Sequence, residues 1–90
     1  MVIYPNPAKG LGPVTLQITL PAPASRVTVS VYTTVFRRVN EIILTNLPVG
    51  TTEEALPLSD RSGVPLANGL YYVVIQTPMG HTTLKLLVLR

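Results

Sequence analysis

VTLQITLPAPASRVTVSVY, residues 14–32, is the stretch that decides the fold. Its first seven residues alternate strictly: Val14, Leu16, Ile18 and Leu20 point one way, Thr15, Gln17 and Thr19 the other. A period of two puts successive side chains on opposite faces of a strand. After the turn Pro21-Ala22-Pro23-Ala24-Ser25, residues 26–32 alternate again. Val27, Val29 and Val31 form an inner face, and Thr28, Ser30 and Tyr32 an outer one. Two half-buried strands joined through prolines are a unit of an antiparallel sandwich.

The same rhythm runs outward in both directions. Val2-Ile3-Tyr4 is a short apolar run halted by Pro5-Asn6-Pro7, whose prolines have no N–H for a ladder. Residues 9–13, KGLGP, read as a loop. Residues 33–38 must hold a bend or tight turn, yet contain no glycine. Residues 39–47 include the continuous run Ile42-Ile43-Leu44, ended by Pro48-Val49-Gly50, and residues 51–58 form a weaker strand. SDRSGVPLANG, residues 59–69, is the longest loop and carries two turn signals. Residues 70–77 and 81–89 are the last two strands, joined by Thr77-Pro78-Met79-Gly80.

This gives about seven strands at spacings of roughly 8–12 residues, with no useful helical period. The expectation is an all-β, immunoglobulin-like antiparallel β-sandwich of about seven strands, a single module over residues 1–90. The cysteine pair and tryptophan of antibody domains are missing, so strand rhythm alone supports it. Tyr71 sits where a tyrosine corner forms at the start of a sixth strand; a plain core aromatic is the other reading.

Composition agrees. Hydrophobic residues make up 47% of the 90 and charged residues 12%, the opposite of a disordered tail. Nine prolines and six glycines interrupt the chain too often for long helices. The net charge of +3 comes from seven scattered Lys/Arg against four Asp/Glu; only Arg37-Arg38 is a pair. Nucleic-acid readers cluster charge on one face beside stacking aromatics, so no nucleic-acid partner is expected. The absence of cysteine is neutral on compartment. No apolar run reaches the ~18–20 residues of a membrane-spanning helix. MVIYPNP lacks the basic and apolar regions of a signal peptide, and Met1 directly before a strand suggests a domain excised from a longer chain.

No catalytic constellation is expected, and no cofactor. His81, the single histidine, follows the turn glycine and reads as a solvated turn residue. Nothing brings Ser59 and Asp60 to it as a triad, and no nucleophile elbow is present. Glu53 and Glu54 are adjacent and point to opposite faces of a strand. Asp60 is a lone carboxylate where calcium wants six to eight oxygens. Residues 11–14, LGPV, lack the P-loop pattern. Arg37-Arg38 could face an acidic partner or simply be a solvated turn. Tyr4, Tyr32, Phe36 and Tyr72 are the aromatics available to a sugar-binding plateau, with Tyr32 and Tyr72 on outer faces.

YPNP at residues 4–7, VTVSVYTTVFRRV at 27–39 and the ending GLYYVVIQTPMGHTTLKLLVLR at 69–90 together resemble a known family. They are similar to the C-terminal sorting domains of type IX secretion substrates. They are equally similar to the immunoglobulin-like domain of flagellar hook-capping proteins, whose SDRSGVPLANG-like loop is the closer match. The resemblance implies a non-catalytic module at the end of a larger secreted protein, often a hydrolase or adhesin. Its implied partners are secretion or cell-surface attachment machinery and the parent's catalytic or adhesive domain; the implied location is secreted or on the bacterial surface.

Carried over by position, Tyr4, Pro5, Asn6 and Pro7 match the opening motif. Gly69, Tyr71, Gly80, Lys85 and Arg90 match the closing one. Lys85, Leu87, Leu89 and Arg90 are the candidate recognition residues. Leu87 and Leu89 are apolar on the face of the last strand that should be solvated, which suits docking to a receptor by strand addition; the other reading is that this face is covered, because the strand is central or by a preceding domain. Two departures stand out: Tyr32-Thr33-Thr34-Val35-Phe36 replaces the usual YDxxG pattern, and no tryptophan lies near Asp60. A carbohydrate-binding accessory module or a spacer is the alternative.

Overall fold

The computed structural model of the chain describes residues 1–6, 8, 9 and 13–89. The described residues form eight strands: β1 Val2–Tyr4, β2 Ala8–Lys9, β3 Val14–Leu20, β4 Ala24–Thr33, β5 Arg38–Leu47, β6 Gly50–Leu56, β7 Gly69–Thr77 and β8 Gly80–Leu89. They make two sheets, a three-stranded one in the order β1-β3-β6 and a five-stranded one in the order β2-β8-β7-β4-β5. The immunoglobulin-like sandwich expected from the strand rhythm is the fold found. The eighth strand is the two-residue β2, which falls partly within the stretch read as a loop. It also adds one parallel pair, Ala8↔Val88 and Lys9↔Leu89, to an otherwise antiparallel ladder.

The deciding stretch passes from one sheet to the other at its prolines. Val14, Leu16, Ile18 and Leu20 of β3 face Val27, Val29 and Val31 of β4, and all seven are buried. β7 adds Tyr71, Val73 and Ile75, and β8 adds Leu86 and Val88. The β-branched residues have few rotamers to lose and pack well on a pleated surface. This layer between the sheets is the dominant stabilising term.

The long loop is anchored rather than loose. Leu58 and Leu66 are buried, Leu66 N–H donates to the Leu58 carbonyl (2.9 Å), and Ser59 bridges to Pro65. The Asp60 carboxylate accepts from the N–H groups of Ser62 (2.8 Å) and Val64 (3.0 Å), closing the turn. This is the local use of an Asp side chain in place of a backbone acceptor.

The turn without glycine is solved in two ways. Register shifts after Val31↔Asn40 to Tyr32↔Arg38, leaving Val39 as a bulged extra residue. Phe36 then takes the left-handed conformation (φ 60°) that glycine usually supplies. Its N–H donates to the Thr33 carbonyl, and Thr33 N–H donates to the Arg37 carbonyl, both at 2.9 Å.

Candidate recognition surface

Register places one row of side chains across the outer face of the five-stranded sheet. Arg38 of β5 is opposite Tyr32 of β4, Tyr32 is opposite Tyr72 of β7, and Tyr72 is opposite Lys85 of β8. Phe36 lies over this row, its ring stacked on Tyr72 with centroids 5.5 Å apart and planes 10° from parallel. Leu70 is opposite Leu87 in the next row towards the C-terminal end, and Leu89 follows two residues on. The result is an apolar and aromatic patch with cations on both flanks. Phe36 is 71% exposed and Leu89 41%, so the patch reaches solvent.

Three of the sequence-derived recognition residues, Lys85, Leu87 and Leu89, therefore share one face with Tyr32, Phe36 and Tyr72. Arg90 lies outside the described residues, as does Pro7. Tyr4 is separated from the other aromatics. It sits on the outer face of the three-stranded sheet, where its hydroxyl donates to the Glu53 carboxylate across β3. That hydrogen bond raises the Tyr4 hydroxyl above its ordinary value; partial desolvation and the nearby negative charge act in the same direction.

The edge of β8 is less free than its sequence suggests. Asn6 Nδ2 donates to the Lys85 carbonyl (2.8 Å), and Leu87 N–H donates to Asn6 Oδ1 (3.1 Å). The primary amide thus pairs with the strand as a peptide group would. β2 continues the pairing to Leu89. From Lys85 onward a partner strand finds no open ladder here, and what remains available is the face. Pro5 follows a cis peptide bond from Tyr4 at the entry to this clamp.

Tyr71 forms the corner that was one of its two readings. Its ring is buried, and its hydroxyl donates to the Ala67 carbonyl four residues upstream (2.7 Å). Gly69 begins β7 at φ 149° and Gly80 begins β8 at φ 141°, conformations that side chains disfavour.

Beside the aromatic row is a depression of about 350 Å³ between the β4–β5 turn and the loop at 60–62. Its lining includes Thr33, Arg37, Arg38, Arg61 and Ser62. Arg38 pairs with Glu41 at 2.6 Å. Nothing in the local sequence of Arg61 points to the distant Arg37-Arg38 pair.

The residues tested for catalysis stay apart. His81 is exposed in β8 rather than in the turn, in register with Gln76. The Ser59 carbonyl is held by Asn40 of β5, three strand positions from β8, or ~14 Å at the usual spacing. Glu53 and Glu54 do face opposite ways, Glu54 lying half-buried on the inner side of edge strand β6. Among the described residues no three His, Cys, Asp or Glu side chains gather as a metal site. Among the described residues no helix is long and apolar enough to cross a membrane. A second hollow, about 500 Å³, lies at the other end of the β4–β5 hairpin and is lined by Pro23, Ala24, Ser25, Asn46, Leu47 and Pro48, with no titratable side chain.

The two sheets, the tyrosine corner and the exposed sheet face define an immunoglobulin-like module. The FlgD Ig-like domain model matches residues 4–80, and the chain belongs to that family. Among solved structures it is similar to FlgD from P. aeruginosa, with 28% identity and a TM-score of 0.66, over 79% of this chain and 54% of that one. The chain thus spans about half the length of that FlgD. It is also similar in fold to dimeric latent PorU from Porphyromonas gingivalis, with 24% identity and a TM-score of 0.74, over 98% of this chain and 9% of that one. No curated protein matches it.

Proposed function

We propose that the chain is a non-catalytic sorting or surface-anchoring module of a secreted bacterial protein, recognised through its terminal strands. The observation that carries this reading is the outer face of β8. Lys85, Leu87 and Leu89 project on the side away from the core, and Leu87 continues into Leu70, Tyr72 and Tyr32 on neighbouring strands. A strand facing only water gains nothing from two leucines there; a docking face does. Secretion or attachment machinery is the partner this reading requires, with the parent protein's catalytic or adhesive domain covalently attached. Arg90 belongs to the proposed signal through the family resemblance.

The mode of recognition is face docking, because Asn6 and β2 occupy the edge of β8 from Lys85 to Leu89. The test is export of a reporter fused to residues 1–90 in a host with a functioning type IX system. A Lys85→Ala, Leu87→Ser variant that keeps its circular dichroism spectrum should lose surface delivery. Delivery at the wild-type level by that folded variant overturns the reading.

A second reading, a carbohydrate-binding accessory module, draws on the grouping of Tyr32, Phe36 and Tyr72. Phe36 is stacked on Tyr72 rather than set beside it, which leaves less of a flat plateau than a polysaccharide chain uses. Retention on insoluble polysaccharide, abolished by Phe36→Ala, is the result that favours this alternative.

A further inference from the structure

We infer that the arginine-lined depression between the β4–β5 turn and the 60–62 loop is a binding site for a carboxylate presented by an acidic protein partner. Three of the chain's seven Lys/Arg line this one hollow of about 350 Å³. They arrive from two segments over twenty residues apart, and hydrogen bonds fix those segments to each other. Arg61 N–H donates to the Val39 carbonyl (3.2 Å), and Asn40 Nδ2 donates to the Ser59 carbonyl (2.9 Å). Each arm is also closed on itself, by Thr33 on one side and by the Asp60 carboxylate on the other. The backbone segments that carry the three arginines are therefore fixed to each other before any ligand arrives.

Charge balance points to the ligand. Arg38 is paired with Glu41 of its own strand at 2.6 Å. Arg37 and Arg61 have no ion pair among the described residues. The carboxylate in the lining, Asp60, accepts from two backbone N–H groups through Oδ1. Like charges brought together in this way favour an incoming anion, and the planar guanidinium fork matches a carboxylate in bidentate fashion. The Thr33 and Ser62 hydroxyls are further donors beside it.

The neighbouring surface identifies the source of that carboxylate as protein. Arg38 is in the same cross-strand row as Tyr32 and Tyr72, with Phe36 above. Arginine and aromatic side chains at a shared patch are the composition of protein–protein hot spots. This inference does not depend on the sorting reading, since it concerns a different residue set and is tested without cells.

The experiment is a titration of the ¹⁵N-labelled chain with succinate, and separately with inorganic phosphate, at constant ionic strength maintained by chloride. The signals followed are the arginine Nε–H groups and the amides of Thr33 and Ser62. The expected result is saturable movement of the Arg37 and Arg61 signals with succinate. Arg61→Gln should weaken it roughly tenfold, in line with loss of a charged hydrogen bond. Arg26→Gln, an exposed change elsewhere on β4, should leave it unchanged. Non-saturating movement, or equal weakening in Arg26→Gln, overturns the site. Saturation by phosphate alone overturns the carboxylate assignment.

Discussion

Asn6 is hydrogen-bonded to Leu87 as though it were part of the sheet: Leu87 N–H donates to Asn6 Oδ1 at 3.1 Å. With the second bond, from Asn6 Nδ2 to the Lys85 carbonyl, one side chain closes the edge of the last strand. Asn6→Ala removes both and should destabilise the fold by about 1–2 kcal/mol. Amide exchange checks the mechanism: protection at Val73, in the sheet interior, should fall only by the global loss of stability, while protection at Leu87 should fall further, to the level of local opening. Equal protection at Leu87 in both proteins contradicts the clamp.

Tyr71→Phe keeps the buried ring and deletes only the hydroxyl that donates to Ala67. The expected cost is about 1 kcal/mol with the fold intact, read as a lower urea midpoint at unchanged slope. A change below the error of that measurement would reduce Tyr71 to a core aromatic.

Tyr4 supplies a pH dependence with a definite sign. Its hydroxyl is held above its ordinary value of 10.0 by the hydrogen bond to Glu53. A folded-state value above the unfolded one means that the contribution is fully present below the unfolded value. It is lost as pH rises through the folded one. Stability should therefore fall as pH rises above about 10 more steeply in the wild type than in Tyr4→Phe. Urea midpoints across that range are the check, and parallel profiles for the two proteins contradict it.

Leu16 is one of the largest fully buried side chains, in the middle of β3 between the two sheets. Leu16→Ala should cost about 2–5 kcal/mol through lost burial and a residual cavity. Thr15→Ala, on the solvent side of the same strand, should change stability by about 0.5 kcal/mol or less. Comparable losses at the two positions contradict the assignment of faces.

How much of this was legible in the sequence follows from which contacts are local. The alternation of Val14 to Leu20 and of Val27 to Val31 is a local pattern, and it gave the strands, their inward faces and the sandwich. The outward placing of Lys85, Leu87 and Leu89 came from the same period of two. The β2 strand was not legible, because two residues after a proline-rich turn carry no period and Ala8 pairs with a residue 80 positions away. Phe36 in a left-handed turn was hidden because the usual glycine signal is missing. The role of Asn6 was visible only as part of a motif; its partners lie on the last strand. The convergence of Arg61 on Arg37 and Arg38 depends on how a loop folds back over an edge strand, which no local spacing encodes.

The central claim is that the outer face of the terminal strand is what a partner reads. Its most direct test compares surface delivery of the reporter by two folded variants, Leu87→Ser on the face and Asn6→Ala at the edge clamp, each first shown to be folded at the assay temperature. The account predicts that Leu87→Ser abolishes delivery while Asn6→Ala, with its face intact, retains it. Loss of delivery in Asn6→Ala with full delivery by Leu87→Ser would contradict the account and place recognition at the strand edge instead.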